Sequence, residues 1–124
     1  MRLSGDETML KIIIAGSRNF NDYNLLEQKV NFYIGENQDI EIISGTARGA
    51  DRLGERYAIN KGLKLKRFPA DWQKYGKKAG YLRNEEMAKY ASHAIIFWDG
   101  KSKGTGYMIE LCKKYNINYR IIRF

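Results

Sequence analysis

The chain has 124 residues, of which 44% are hydrophobic and 29% charged, and a formal net charge of +8, the profile of one ordinary soluble domain. It contains no run of about 18 apolar residues, which excludes a predicted membrane span, and its polar start lacks the apolar core of a secretory signal. One cysteine, Cys112, excludes an intramolecular disulfide, and one histidine, His93, leaves too few soft ligands for a zinc site. We therefore expect a cytoplasmic protein with no metal, cofactor or membrane partner, in which residues 1–8 are a polar extension and residues 9–124 form a single domain.

Five short apolar runs predict β-strands, because each is rich in isoleucine, leucine or aromatic residues and is followed by turn or polar residues. The runs lie at residues 10–15, 40–43, 63–68, 94–98 and 117–122. The continuous run Ile12-Ile13-Ile14 is typical of a central strand covered on both faces, whereas the alternating run from residue 63 favours a strand nearer an edge. Residues with helical apolar spacing fill all four gaps between the runs.

The alternation of strands and helices predicts an α/β fold with a doubly wound, parallel five-stranded sheet and helices on both faces. The usual strand order for this pattern is 3-2-1-4-5, which places a topological switch point between strands one and four. Ligands of such sheets bind beyond the carboxyl ends of the strands, so we expect the site in that crevice.

Glycine-rich segments follow the first, second and fourth predicted strands, at residues 16–18, 44–51 and 99–105. Glycine at a strand-to-helix turn lets backbone amides approach an anion, and the helix N-terminus adds partial positive charge. Arg18, Arg48, Lys101 and Lys103 add full charges, whereas no segment matches the Gly-x-x-x-x-Gly-Lys-Ser/Thr loop of an ATPase. The segments predict a phosphate-binding site, with the candidate ligand-binding residues Gly16, Ser17, Arg18, Gly45, Thr46, Arg48, Gly49, Asp51, Asp99, Gly104 and Thr105.

Two acidic residues are candidates for binding the ligand, and one of them, Asp51, has two interpretations. Asp51 could accept a hydrogen bond from a ribose hydroxyl, or could be an acid placed favourably near a helix N-terminus. Asp99, together with Arg83, is expected to orient the sugar, while Arg18 and Arg48 hold the phosphate.

The third predicted helix carries an arginine on its apolar face. Projected at about 100° per residue, Arg83 lies in the middle of the apolar stripe and Asn84 at its border. Burying an unpaired guanidinium costs several kcal/mol, so Arg83 needs a partner. That partner is either an internal carboxylate, Glu86 or Glu110, or a ligand in the crevice.

The segment from residue 61 to residue 83 holds eight basic residues and one acid, Asp71, and so carries +7 of the chain's charge of +8. Such a cluster favours an anionic partner, a nucleotide or a nucleic acid, although a solvated surface that maintains solubility has the same composition. Trp72 lies inside this segment and is the better candidate of the two tryptophans for stacking on a base.

Five motifs occur in order along the chain: GSRxF at 16–20, SGTARGAD at 44–51, PADW at 69–72, AG at 79–80 with RNxxM at 83–87, and WDGxSxGT at 98–105. Their sequence and order resemble the small SLOG-superfamily proteins of the YspA-type, YpsA-related group, found in bacteria and their phages. The resemblance covers nearly the whole chain from Lys11 onward. It implies a Rossmann-like fold that binds a nucleotide-derived ligand as a sensor or sequestering module, and a homodimer by analogy with related proteins.

The same superfamily contains the Lonely-guy phosphoribohydrolases, which cleave the base–ribose bond of nucleoside monophosphates, and the DNA-uptake protein DprA. Arg83 and Met87 resemble part of the Lonely-guy signature. Met108, however, stands where that signature has its catalytic glutamate, and Glu110 is turned about 200° around the helix from that position. Because the hydrolase needs this carboxylate, no catalytic residue is assigned. A nucleoside-monophosphate N-glycosidase and a DprA-type DNA-binding module stay open as alternatives to nucleotide binding.

Overall fold

The computed structural model describes residues 9–37 and 39–124, so the predicted extension at residues 1–8 lies outside the described residues. Five strands form one parallel sheet: β1 (Leu10–Gly16), β2 (Ile40–Ser44), β3 (Lys64–Arg67), β4 (His93–Trp98) and β5 (Asn118–Arg123). Their order is β3-β2-β1-β4-β5, which confirms the predicted order and the α/β, doubly wound fold. The carboxyl ends of β1 and β4 therefore flank the switch point.

Five helices connect the strands: α1 (Tyr23–Ile34), α2 (Ala50–Lys61), α3 (Trp72–Tyr75), α4 (Ala79–Tyr90) and α5 (Lys103–Lys114). A single 3₁₀ turn, Gly76–Lys78, joins α3 to α4. The periodicity does not predict α3, because four residues are too few to show a helical repeat. Its start is nevertheless encoded locally, since Asp71 caps it by accepting the Lys74 N–H at 3.1 Å. None of the helices in the described ranges is long and apolar enough to cross a membrane.

Two apolar layers hold the helices against the sheet. Ile12 and Ile14 pack with residues of α1 and α2 on one face, and Ile13 packs with Met87 and Leu111, from α4 and α5, on the other. Alternate residues of one strand therefore enter different layers, which explains why the central run is apolar throughout. The rigid double layer fixes the carboxyl ends of the strands on which the polar loops are mounted.

The strand β3 lies at the edge of the sheet, as its alternating pattern predicts. Its side chains Lys64, Lys66 and Arg67 are exposed. Charged residues, lysine especially, on an edge strand disfavour pairing with another chain. Part of the basic segment at residues 61–83 therefore has a local structural role.

Candidate functional site

A cleft of about 600 Å³ lies at the carboxyl ends of β1 and β4, and we call it the main cleft. Its volume is in the range of small-molecule sites, and its position matches the crevice that the sequence predicts. It is lined by Ala15, Gly16, Arg18, Asn19, Ala47, Arg48, Asp51, Arg83, Asn84, Met87, Asp99, Ser102, Lys103, Gly104, Thr105 and Met108.

Two glycines allow the loops around this cleft to touch one another. A Cβ at Gly16 would collide with the carbonyl oxygen of Phe97 on the neighbouring strand β4. Gly49 has φ +82°, and a Cβ there would lie 2.5 Å from the carbonyl oxygen of Ser17. Both positions need glycine because another backbone occupies the space of a side chain. The loops after β1 and β2 therefore pack directly against each other.

A buried hydroxyl connects the loop after β1 to the loop after β4. Ser17 is fully buried, and its Oγ accepts the Asp99 N–H at 3.1 Å and lies 3.0 Å from the hydroxyl oxygen of Ser102. Asp99 Oδ1 in turn accepts the N–H groups of Ser102 and Lys101, both at 2.8 Å. These backbone hydrogen bonds, that of Ser102 foremost, lower the pKa of Asp99 to about 2. Ser17 therefore lies beneath the cleft as a support, and Asp99 lines it as a fixed anion.

The side chains of Arg18 and Arg48 are exposed at the main cleft. Neither guanidinium forms a hydrogen bond or ion pair with a residue that the structure describes. The cleft thus presents two full positive charges whose hydrogen-bonding capacity is not used by the described residues.

Arg83 is held from α4 across to the loop after β2. Its Nη1 donates to the carbonyl oxygen of Gly45, and its Nε donates to Asn84 Oδ1 at 2.8 Å. The alternative of an internal ion pair with Glu86 or Glu110 is wrong: Glu86 is exposed, and Glu110 lies 3.7 Å from the Lys113 ammonium. The apolar stripe of α4 is therefore interrupted by an arginine that lines the cleft.

The charges near Arg83 act on its pKa in opposite directions. Burial lowers it, the Asp51 carboxylate raises it, and the nearby Arg18 lowers it again. The main cleft is lined by four cationic side chains and two carboxyl groups, so its positive charge is not balanced from within. An anion placed among the guanidiniums would relieve their repulsion.

Asp51 lies at the start of α2, 6% exposed. Burial raises its pKa to about 6, against the lowering effects of the Ala47 N–H, which donates to Oδ2 at 3.1 Å, and of Arg83. A Cβ at Gly45 would lie 2.8 Å from Asp51 Oδ2 and 2.9 Å from Arg83 Nη1. Asp51 therefore lies near a helix N-terminus, accepts a loop N–H and also lines the cleft, where its bond to a ribose hydroxyl stays a prediction.

Two helices begin at the main cleft. The N-cap residues, Gly49 for α2 and Ser102 for α5, make no side-chain hydrogen bond to the first helical turn. N–H groups at such uncapped N-termini are available to a ligand, and the helix dipole adds positive potential there. Lys103, Gly104 and Thr105, from the first turn of α5, line the cleft.

A second cleft of about 490 Å³ adjoins the first, and we call it the side cleft. It is lined by Arg18, Gly45, Thr46, Ala47, Arg48, Pro69, Ala70, Trp72 and Arg83. Trp72 is 52% exposed, and a Cβ at Gly80 of α4 would contact its ring at 3.4 Å. Thr46 has φ +67°, a strained conformation for a β-branched residue.

The structure brings twelve of the fourteen predicted residues to one cleft or the other, with Ser17 and Gly49 lying beneath. Of the lysines predicted to add charge, Lys103 lines the main cleft and Lys101 lines neither. The lining residues that the sequence did not single out are Ala15, Asn19, Ala47, Met87, Ser102 and Met108 in the main cleft and Pro69 and Ala70 in the side cleft. Several of them lie inside the five sequence motifs, so their position within a motif was the signal that could have identified them as lining residues.

The carboxylates of the main cleft are Asp51 and Asp99, counted over the lining residues. Met108 lines it where the Lonely-guy signature has its glutamate, and Glu110 lies outside on the exposed side of α5. Within the described ranges no group of three acidic, histidine or cysteine side chains could hold a metal ion.

Comparison with known proteins gives one family and one close relative. A model of the family described as "YspA, cpYpsA-related SLOG family" matches residues 10–75. The Gene 61 protein of Mycobacterium phage D29 is 32% identical to the chain, over 88% of this chain and 93% of that protein.

Two solved structures have the same fold. DNA processing protein A (DprA) from Streptococcus pneumoniae superposes with a TM-score of 0.74 at 16% identity, over 94% of this chain. DNA processing protein A from Helicobacter pylori, described for its single-stranded DNA binding mode, superposes with a TM-score of 0.68 at 19% identity, over 93% of this chain. The chain spans only 51% and 66% of these two proteins, and at such identities the likeness concerns the fold alone.

Proposed function

Because the chain belongs to the YspA, cpYpsA-related SLOG family, we propose that it binds a nucleotide or nucleotide-derived ligand in the main cleft. The observation that carries the proposal is the group of three arginines, Arg18, Arg48 and Arg83, on one cleft. Two of them have no partner among the described residues, and the third, Arg83, is partly desolvated by burial, which lowers its pKa but leaves it a cation. A phosphate among them would supply the missing negative charge and the missing acceptors.

The main cleft offers a separate group for each part of a nucleotide. The first turns of α2 and α5 add N–H donors around a phosphate held by the arginines. Among the described residues, the Ser102 hydroxyl at 3.1 Å is the hydrogen-bond partner of Asp99 Oδ2, which leaves acceptor capacity for a sugar hydroxyl. Met87 and Met108 supply an apolar wall. The function would be that of a sensor or sequestering module in the bacterial cytoplasm, where such nucleotides occur.

The test is thermal unfolding of the purified protein with AMP, ADP, ADP-ribose and cyclic AMP at one fixed salt concentration. A ligand at 100 times its Kd adds about 2.7 kcal/mol, a shift of several degrees in Tm for a domain of this size. Arg48→Ala should abolish the shift without lowering the Tm of the free protein, because its guanidinium forms no hydrogen bond or ion pair with the residues that the structure describes. No shift with any of the four ligands would overturn the proposal, and release of free adenine from AMP would assign N-glycosidase activity instead.

DNA binding is a second candidate function. The Helicobacter pylori relative by fold is described as binding single-stranded DNA, and Lys74, Lys77 and Lys78 are exposed next to Trp72 of the side cleft. Binding of a fluorescent oligothymidylate should then fall with salt, with a log–log slope of about −0.7 per phosphate contact. At a fixed salt concentration, the double substitution Lys77→Glu, Lys78→Glu should weaken oligothymidylate binding relative to wild type. Binding that is insensitive to salt would exclude this function.

A further inference from the structure

Three of the four cationic side chains that line the two clefts are shared between them, and the fourth, Lys103, lines only the main cleft. Arg18, Arg48 and Arg83, together with Ala47, line both the main cleft and the side cleft. Each cleft is in the size range of a small-molecule site. Most of the positive charge therefore lies at the junction of the two clefts, with cleft volume on both sides of it.

We propose that the ligand is a dinucleotide: two nucleosides joined through a central phosphate group, with the phosphate at the arginine junction and one base on Trp72 in the side cleft. This inference rests on the proposed function and specifies its ligand class. A mononucleotide carries its anion at one end, so it would fill one cleft and leave the other empty. A dinucleotide carries its anion between two nucleosides, which is the arrangement of the two clefts around the arginines.

The side cleft has the surface that a base requires. The indole of Trp72 is 52% exposed, and Pro69 and Ala70 line the same cleft. No carboxyl group belongs to its lining, so the side chains that line it do not repel a phosphate. Stacking on an aromatic ring needs no particular base, because every base has a π face.

The position of the indole is set by the chain around it. Asp71 caps the one-turn helix α3 that begins at Trp72, and Gly80 at the start of α4 leaves room for the ring, since a Cβ there would already contact it at 3.4 Å. The capped turn and the start of α4 therefore brace the ring, and its exposed side lines the side cleft. Such bracing reduces the conformational entropy that a stacking contact would otherwise lose.

The loop between the two clefts contributes independent support. Thr46 lines the side cleft with a positive φ of +67°, and its neighbours Ala47 and Arg48 line both clefts. Backbone strain in a β-branched residue persists only where the surroundings enforce it, and it concentrates at ligand-binding loops. The strained residue lies in the side cleft, directly before the two loop residues that line both clefts.

Two sources share this chemistry: a free dinucleotide with a pyrophosphate bridge, and adjacent nucleotides of a single strand. Affinities of AMP, P1,P2-di(adenosine-5′) pyrophosphate and decadeoxyadenylate are measured by calorimetry on wild type, Trp72→Ala and Trp72→Phe. The diadenosine compound should bind at least about 10-fold more tightly than AMP. Trp72→Ala should lose about 5- to 150-fold of that affinity, the range of one base stack, leave AMP unchanged, and be partly rescued by Trp72→Phe.

The outcomes separate the two proposals. AMP binding with no gain for the diadenosine compound, or equal losses for both ligands in Trp72→Ala, overturns the dinucleotide and leaves the proposed function standing. Absence of binding by AMP and the diadenosine compound overturns both. Decadeoxyadenylate that binds more tightly than the diadenosine compound and loses affinity in Trp72→Ala assigns the two nucleosides to a strand. Because Trp72 is half-exposed, an unchanged Tm in its variants verifies that they fold.

Discussion

The two ends of the same parallel sheet carry clefts of similar size and different chemistry. The main cleft, at the carboxyl ends, has three arginines and the starts of α2 and α5. A cleft of about 450 Å³ at the amino ends of β1, β4 and β5, the amino-end cleft, is lined by Leu10, Ile12, Tyr33, Asn37, His93, Ala94, Ile95, Asn118, Tyr119 and Arg120. The only cation in that lining, Arg120, lies 5.7 Å from the ring centroid of Tyr33.

The direction of the strands explains the difference. Each crossover begins a helix at the carboxyl end of the sheet and finishes it at the amino end. Positive helix dipoles therefore collect at the main cleft, whereas Tyr33 and Asn37, at the end of α1, bring the negative end to the other. The size of a cavity therefore does not identify an anion site, whereas the direction of the helix dipoles around it does.

The largest expected effect is on the free energy of unfolding, through the close backbone contact between Gly16 and Phe97 at the carboxyl end of the sheet. Gly16→Ala should lower the free energy of unfolding by about 3–5 kcal/mol, because its Cβ collides with the Phe97 carbonyl and neither backbone can withdraw. Gly104→Ala is the matched control, since nothing lies within 4 Å of the added Cβ. Urea unfolding measures both, and similar midpoints for the two variants would refute the close approach.

The pH dependence of stability should have opposite signs for a titrating residue at each end of the sheet. Burial raises the pKa of Asp51 to about 6 from its ordinary value of 3.8, so the folded protein binds the extra proton and stability is lost as pH rises from about 4 to 6. The loss is up to about 3 kcal/mol, and Asp51→Asn should remove it. His93, at the amino-end cleft, has its pKa lowered by burial, so its contribution is lost as pH falls below about 6.5.

Urea unfolding of Asp51→Asn and His93→Gln across pH 4–7 measures the two contributions separately. Relative to wild type, Asp51→Asn should gain stability as pH rises, and His93→Gln should gain it as pH falls. Parallel pH profiles for wild type and Asp51→Asn would contradict the raised pKa.

Ligand affinity should depend on cations at one end only. Arg83→Ala should raise the Kd of ADP by about 10- to 100-fold, the equivalent of one hydrogen bond to a charged group. Arg120→Ala, which removes the same charge from the amino-end cleft, should leave the Kd unchanged. Calorimetry at one ionic strength compares them, because a general effect of net charge would weaken both variants equally.

The smallest effect concerns backbone strain at the two ends. Thr46→Gly should stabilise the protein by about 1 kcal/mol, because glycine adopts φ +67° without strain. Asn116 also has a positive φ, +57°, at the amino end, but asparagine tolerates this conformation. Asn116→Gly should therefore change the unfolding midpoint in urea little or lower it, and an equal gain in both variants would argue against strain specific to the cleft.

The parts of the fold that follow from local pattern could be predicted from the sequence. The uninterrupted Ile12-Ile13-Ile14 run indicates burial on both faces, and the handedness of crossovers then restricts the strand order. The glycine-rich loops could be placed at the carboxyl end because each follows a predicted strand. The one-turn helix α3 could not be predicted, since its capping residue Asp71 is also an ordinary loop residue.

Contacts between loops distant in the chain escaped prediction. Ser17 looks like a ligand-binding hydroxyl, yet its partner is the amide of Asp99, 82 residues away. Arg83 donates to the carbonyl oxygen of Gly45, 38 residues earlier in the chain. Helical projection therefore predicts that Arg83 lies on the inward face of its helix but does not identify its partner. The raised pKa of Asp51 depends on burial by the assembled loops, which no local spacing encodes.

Three glycines in the loops that form the clefts also bear on how this protein can evolve. Gly16 is closed in by Phe97, Gly49 by Ser17, and Gly45 by the side chains of Asp51 and Arg83, so a single substitution at any of them meets an atom from another part of the chain. Asn19, Lys103 and Trp72 stand exposed at the rims and can mutate one at a time. Selection for a new ligand therefore has an open route through the rims, while the glycine frame stays fixed in every descendant that still folds.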